Sequence, residues 1–277
     1  MAVQAAVTLY KQELIAQFEQ TSSLLGEATT KETMRNGLSV VFDVAGTAGQ
    51  GAVTRGQNGD IPYGIHSNNQ ITVTLEEKHA PYAMTGFDVF ASQGNQTMAM
   101  KRGSMSVINR ERDLAVINEL ANATQDFGTG TLDLDTVVGC KAILGNADVP
   151  TDEEDNMFAL ISPAAEAYML QMTEFGSADY VDIKPLSGGT NRKYRRWAGV
   201  NWIVSTQVSG KATSSELLYM WHRAAMGYAC SVDMVDAGFN GEQARSWSLA
   251  TVYHKAKILQ NSGIIKITHD GSAYVAT

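Results

Sequence analysis

The sequence has little cysteine, little proline and no apolar run of membrane-spanning length. Two cysteines in 277 residues leave no disulfide framework to hold a fold together. Cys140 and Cys230 each sit in an apolar setting, which favours two buried free thiols in a reducing compartment over a bond between them. No stretch approaches the ~18 apolar residues of a bilayer span. The segment MAVQAAVTLYKQELIAQF carries Lys11 and Glu13 where a secretion signal keeps an uncharged centre. Excess positive charge is missing as well. Against 29 Asp and Glu stand 21 Lys and Arg, a net charge of −8 with a pI near 5.1. That balance argues against a dedicated nucleic-acid binder, though not against a protein that encloses nucleic acid. Together these absences predict a soluble cytoplasmic protein.

Signatures of catalysis and of metal binding are also missing. The histidines are His66, His79, His222, His254 and His269, and no two share metal-ligand spacing. There is neither GxSxG nor HExxH. The glycines of Gly46–Gly59 lack the Lys-Ser/Thr of a phosphate loop, the dinucleotide-binding spacing and a helix directly behind them, so a flexible tip is the better reading. Asp152, Glu153, Glu154 and Asp155 lack the alternation and central glycine of a calcium loop and read as a solvated acidic loop. Arg192, Lys193, Arg195 and Arg196, beside Gly188-Gly189, are a candidate anion site. A salt-bridging surface is the better reading, with an acidic loop of a neighbouring subunit as its expected partner. Trp197, Trp202, Trp221 and Trp247 read as core or interface anchors. No catalytic residue, cofactor or metal is expected.

What the chain does have is one long helical stretch. Gln96–Phe127 contains no proline, and from Met105 onward its apolar residues recur at helical spacing. A helix of that length would span roughly 45 Å, longer than a compact domain of this size needs. Met105, Ile108, Leu120 and Ala121 are its expected core face, and Gly128 its expected stop. The 44% hydrophobic content suffices for a sizeable core, and the length suits about two domains.

Before this spine the chain reads as arm and loop. Ala5–Leu25 has an amphipathic stripe that includes Leu14 and Phe18 and lacks an obvious local partner. Glu27–Arg35 is polar and without pattern. Leu38–Val44 and Gln70–Glu76 read as strands flanking the glycine-rich tip, with Arg55, Asp60, Ile61 and Tyr63 as candidate contacts. Tyr82–Phe90 reads as extended. After the spine come a helix over Asp135–Leu144 and a buried strand over Met157–Ile161. Next is a helix opened by Ser162-Pro163, with Ala164, Tyr168, Met172 and Phe175 on one face. Gly199–Ser205 and Leu217–Trp221 read as strands, HRAAMGYAC as helical and Ser246–Ile258 as a long strand. A terminal hairpin of Ile264–Thr268 and Ala273–Val275 is expected about residues 269–272.

The order of these parts resembles the major capsid proteins of tailed bacteriophages, a fold shared with encapsulin shells. LISPAAEAYMLQM is similar to that family's strand-then-helix opening, RRWAGVNWIVSTQV to its loop and strand running to a serine. LLYMWHRAAMGYA resembles its strand leading to an alanine-rich helix, YHKAKILQNSGIIKI its closing strands. The resemblance implies an α+β fold with an N-terminal arm (1–35), an extended β-loop (44–82) and an α/β axial domain (132–243). The peripheral domain would be discontinuous, from 36–43, 83–131 and 244–277, with spine helix 96–127 in it. It also implies self-assembly through pentamers and hexamers into an icosahedral virion shell, formed in the host bacterial cytoplasm around double-stranded DNA that is held without sequence preference. A separate scaffolding protein, a portal and decoration proteins are the implied partners, and no membrane. The expected intersubunit contacts are Arg55, Asp60, Ile61, Tyr63, Leu14, Phe18, Arg192, Arg195 and Arg196. An encapsulin-like compartment shell, or a soluble α/β enzyme with a glycine-rich lid, are the alternatives.

Overall fold

Met157–Ile161 (β6) is buried at all five positions. A run of large apolar residues without alternation fits a strand covered on both faces. In the computed structural model, which describes residues 22–34, 36–47, 49, 51–91, 96–176, 194–231 and 234–274, β6 is flanked by a strand on each side. It runs parallel to Val200–Val204 (β8) and antiparallel to Glu216–His222 (β9). The sheet extends past β8 to Arg195–Trp197 (β7), and past β9 to Ile264–His269 (β13) and the edge strand Asp126–Gly130 (β5).

Two compact units make up the chain. The larger comprises residues 24–76, 112–232 and 253–277, and the smaller includes 77–111 and 233–252. In the larger unit, helix α3 (Leu134–Asn146) starts where the Asp133 carboxylate accepts the Thr136 N–H at 2.8 Å. The Thr136 hydroxyl, which donates to the same carboxylate at 2.7 Å, and this N–H hold the Asp133 carboxyl below the usual range. Ser162 caps α4 (Pro163–Gln171) in the same way, with proline at its first position. A second sheet pairs Thr30–Met34 (β1) in parallel with Met226–Ser231 (β10). Antiparallel to β10 runs the end of Arg245–Ile258 (β12). Cys140 and Cys230 are both buried and free, and burial pushes the Cys140 thiol up to about 12.

In the smaller unit, Glu76–Thr85 (β4) pairs with β12, and Met234–Asn240 (β11) pairs with residues 245–251 of it. Ala80, Ile108, Ala250 and Val252 form its core, against half-buried Met105 and Val107. A buried contact between the Ser104 and Ser248 hydroxyls at 3.4 Å marks close packing of helix on strand.

Several expectations are corrected. The spine helix α2 spans Gln96–Leu120 and stops short of Phe127. The Asn122 N–H turns back to the Glu119 carbonyl and the Ala123 N–H to the Leu120 carbonyl, both at 3.0 Å, which tightens the last turn. The Asn122 side chain also bonds Glu119, the local competition that makes asparagine a poor helix continuer. Ile108 and Leu120 are buried and Met105 half-buried, but Ala121 lies past the helix end and is exposed. Tyr82–Phe90 is not all extended. Thr85 caps a short helix, Gly86–Ala91 (α1), by accepting the Asp88 N–H at 3.1 Å. HRAAMGYAC is a single 3-10 turn followed by strand β10, because pairing with β1 and β12 overrides its helix-forming alanines. The patternless Glu27–Arg35 contains β1, whose three middle residues are exposed. The helix opened by Ser162 breaks at Met172. Its deeply buried residues are Ala165 and Met169, with Phe175 in a following short helix. Among the described residues the expected terminal hairpin does not form: Ser272–Tyr274 is a 3-10 turn.

Leu120→Ala should cost about 2–5 kcal/mol in urea unfolding, as a fully buried leucine does. Ala121→Ser should stay within about 0.5 kcal/mol of the parent, because it changes only surface.

Candidate assembly surfaces

The chain enters the larger unit under the control of one carboxylate. Asp113, on α2, is 1% exposed. Its oxygens accept the Leu24 N–H at 2.9 and 3.1 Å and the Leu25 N–H at 3.1 Å. Buried backbone amides outside regular structure need such acceptors, and charge-assisted ones are the stronger. The Leu25 side chain is fully buried. Three residues on, the Trp221 indole N–H donates to the Ala28 carbonyl at 2.8 Å, and the Thr30 hydroxyl to the Arg223 carbonyl at 3.1 Å. The Tyr194 hydroxyl lies 3.0 Å from the Leu24 carbonyl and 3.2 Å from the Glu27 carboxylate. Burial, with Glu27 and Asp113 nearby, raises its pKa well above the usual phenol value. Leu14 and Phe18, expected contacts of the arm, lie outside the described residues.

The second surface is a protruding hairpin. Ser39–Gly46 (β2) and Ser67–Thr74 (β3) pair antiparallel from Ser39 opposite Thr74 to Gly46 opposite Ser67. The base is packed: Phe42 and Val73 are buried with Ala229, against Val40, Ile71, Leu75 and Leu259. Beyond Gly46 the character changes, and every described residue from Thr47 to His66 is exposed. One turn organises the tip. The Gly56 N–H donates to the Asp60 carbonyl and the Gly59 N–H to the Gly56 carbonyl, each at 2.9 Å. Gly59 has φ +85°, which a side chain would strain. From Asp60 to His66 the chain carries Ile61, Tyr63 and Ile65 at a spacing of two, the spacing that places side chains on one face of an extended strand. Tyr63 is 96% and Ile65 87% exposed. Arg55 and Asp60 are exposed and form no ion pair among the described residues.

Two arginines of the basic loop have acidic partners within the chain. Arg195 pairs with Glu166 at 2.5 Å, and Arg196 with Asp155 and, at 3.5 Å, Glu154. Exposed pairs of this kind contribute about 0–1 kcal/mol each. Arg192 lies outside the described residues. In the smaller unit, Phe87, Phe239 and Met234 are exposed large apolar residues. Among the described residues no three acidic, histidine or cysteine side chains are grouped to hold a metal. No described helix is long and apolar enough to cross a membrane.

An anchored N-terminal root, a long exposed hairpin and apolar residues left uncovered describe a building block of a larger assembly, and this architecture is that of phage capsids. The chain aligns over all of its length, and all of the other's, with the capsid of Ralstonia phage GP4 at a TM-score of 0.74 and 10% identity. With a chain from Mycobacterium phage Che8 the TM-score is 0.70 and the identity 15%, over 96% of this chain and 98% of that one. The capsid of a native GTA particle gives 0.66 and 12%, over 97% and 100%. No curated protein matches. The model of the phage capsid protein family matches residues 2–270. The chain belongs to that family: it is a structural major capsid protein, self-assembling and located in the virion shell.

Asp113→Ala should leave the Leu24 and Leu25 amides without acceptors, at about 1–3 kcal/mol for each buried unpaired group. Urea unfolding should show the loss. Limited proteolysis should show cleavage near residues 22–27 that the parent resists.

Proposed function

We propose that this subunit closes an icosahedral shell through pentamers and hexamers, with its extended loop (44–82) lying over the spine or peripheral domain of an adjacent copy. One observation carries the reading. From Thr47 to His66 every described residue is exposed, including Ile61, Tyr63 and Ile65. Ordering a segment costs roughly 1–2 kcal/mol per residue, and a lone subunit buries nothing at this tip in return. A neighbour's surface supplies the missing contacts. Arg55 and Asp60 are the polar contacts there, Ile61 and Tyr63 the apolar ones. In the N-terminal arm (1–35), Leu14 and Phe18 form a second intersubunit contact, and Arg192, Arg195 and Arg196 a third.

The remaining division follows the family pattern: a discontinuous peripheral domain (36–43, 83–131, 244–277) and an axial domain (132–243). Assembly takes place in the host bacterial cytoplasm, with a separate scaffolding protein and a portal, and with decoration proteins added to the shell. Double-stranded DNA is enclosed without sequence-specific contacts. The acidic balance suits a container that must not clamp its contents, since phosphate affinity climbs with each cationic contact. The role is structural and not catalytic.

Because Gly46 pairs directly opposite Ser67, residues 47–66 can be replaced by an Asn-Gly turn that continues the hairpin. That variant should keep the parent's circular dichroism yet fail to sediment as closed shells. Hydrogen exchange at residues 55–65 of the parent should slow on assembly. Stable shells from the shortened protein, or exchange that assembly leaves unchanged, would exclude the loop as a clamp. Deleting residues 1–21 should likewise spare the fold and impair shell formation, and normal shells would count against the arm's role.

A further inference from the structure

At one end of the six-stranded sheet three buried polar side chains meet, each 0% exposed: Ser162, Glu216 and His269. Glu216 opens β9, Ser162 follows β6 and His269 ends β13. The Glu216 carboxylate accepts the Ser162 hydroxyl at 2.5 Å and the Ala212 N–H at 2.6 Å. Ser162 in turn caps α4 by accepting the Ala165 N–H at 3.0 Å. Gly271 closes over the group, and any side chain there would put its Cβ 2.3 Å from the Glu216 carboxyl carbon. Its N–H donates to the Thr213 carbonyl at 3.0 Å.

His269 stands directly opposite Glu216 across the β9–β13 pair, so both side chains project from the same face. Its Nδ1 accepts the Leu132 N–H at 3.1 Å, which requires a lone pair on Nδ1 and places the single ring proton on Nε2. Nε2 is buried and lacks a well-aligned partner. The Tyr168 ring covers the imidazole edge-on at a centroid distance of 5.0 Å. A second proton on this ring has to go to Nδ1, where it would face the Leu132 N–H donor to donor. The neutral ring fits this site and the charged ring does not.

We propose that His269 is an acid-sensitive latch. While neutral it ties the end of β13 and residues 270–274 to the Leu132 backbone and the Glu216 cluster, and on protonation it lets them go. The groups that bear on its charge come from several elements. Glu216 on β9 favours the charged ring, as do Asp270 in its own segment and the Gly130 carbonyl at the end of β5; burial opposes them and prevails. The Ser162 hydroxyl is committed to Glu216. His269 therefore titrates below the ordinary value of 6.5. With the folded value depressed, the latch contributes its full stability above the unfolded value. That contribution drains away as pH falls from there through the lowered folded value.

Hydrogen exchange of the full chain, corrected for intrinsic rates between pH of about 7.5 and 5, tests this. Protection at the Leu132 amide and over residues 270–274 should drop by roughly tenfold per pH unit below the ordinary histidine value, the slope for uptake of one proton on opening. In His269→Asn the amide oxygen takes the place of Nδ1 and accepts the Leu132 N–H at every pH, so its protection should be flat. Flat protection in the parent, or an equal slope in the Asn variant, would overturn the latch. An imidazole NMR titration of the parent decides the matter even if the variant does not fold. His269 should show an Nε2–H tautomer titrating below 6.5; an Nδ1–H tautomer, or titration at or above the ordinary value, would overturn it too.

Discussion

The larger unit depends on a buried carboxylate that bonds the backbone of a distant segment. Asp113 accepts N–H bonds from Leu24 and Leu25, 89 and 88 residues away in sequence. Without it the chain could enter the interior only with unpaired amides, at a cost close to that of a lost hydrogen bond apiece. With it, Leu25 buries fully, the Ala28 carbonyl meets the Trp221 indole, and Thr30–Met34 falls into parallel register with β10. Each step positions the next. The same residue belongs to α2, so the spine helix fixes where Leu24 and Leu25 enter the core of the larger unit.

The central sheet shows the opposite economy. β6 has no polar side chain in its five residues, and its neighbours β8 and β9 are nearly as apolar. The hydrogen-bonded polar groups gather near the strand ends: Asn201 bonding the Glu154 and Met157 carbonyls, Ser162 on Glu216, His269 on the Leu132 amide. Buried polar groups are tolerable when each has a partner, and they then specify which loop lies on which strand end. That is how two loops and the segment after β13 are ordered around Glu216 without an apolar core of their own.

Legibility in the sequence followed the range of the interactions. Met157–Ile161 and Ser162-Pro163 were readable because unbroken burial, an N-cap and a first-turn proline are written in adjacent residues. The two strands of the hairpin and its glycine tip were readable for the same reason. HRAAMGYAC was misread because its alanines favour helix while its strand pairing comes from β1 and β12, which local pattern does not encode. β1 was missed because TKETM exposes three of five side chains and so has no apolar signature. Asp113, Glu216 and His269 were invisible as a group: their partners are mostly distant in sequence, and a lone acidic or histidine residue carries no spacing to read. Ala121 failed differently. It keeps the helical period, but the helix stops one residue earlier, at the turn closed by Asn122 and Ala123.

These contrasts assign different stabilities to different parts of the chain. Among the described residues, the larger unit has a continuous core of more than thirty buried apolar residues, whereas the core cluster of the smaller has four with two partly buried neighbours. Regions with few buried apolar contacts open at lower free energy than the global transition. The tip of the hairpin has a single turn and no core at all. Such a gradient suits a subunit that must fold before it assembles. The larger unit has the extensive core, while the hairpin tip and the smaller unit, with its exposed Phe87 and Phe239, leave apolar surface uncovered. Under the proposed clamp, a tip that packed on its own body would stabilise the lone subunit and leave less apolar surface for a neighbour to bury. Tyr63 and Ile65 are exposed at the end of a glycine-rich hairpin that holds them away from their own core, the arrangement that the proposed clamp needs.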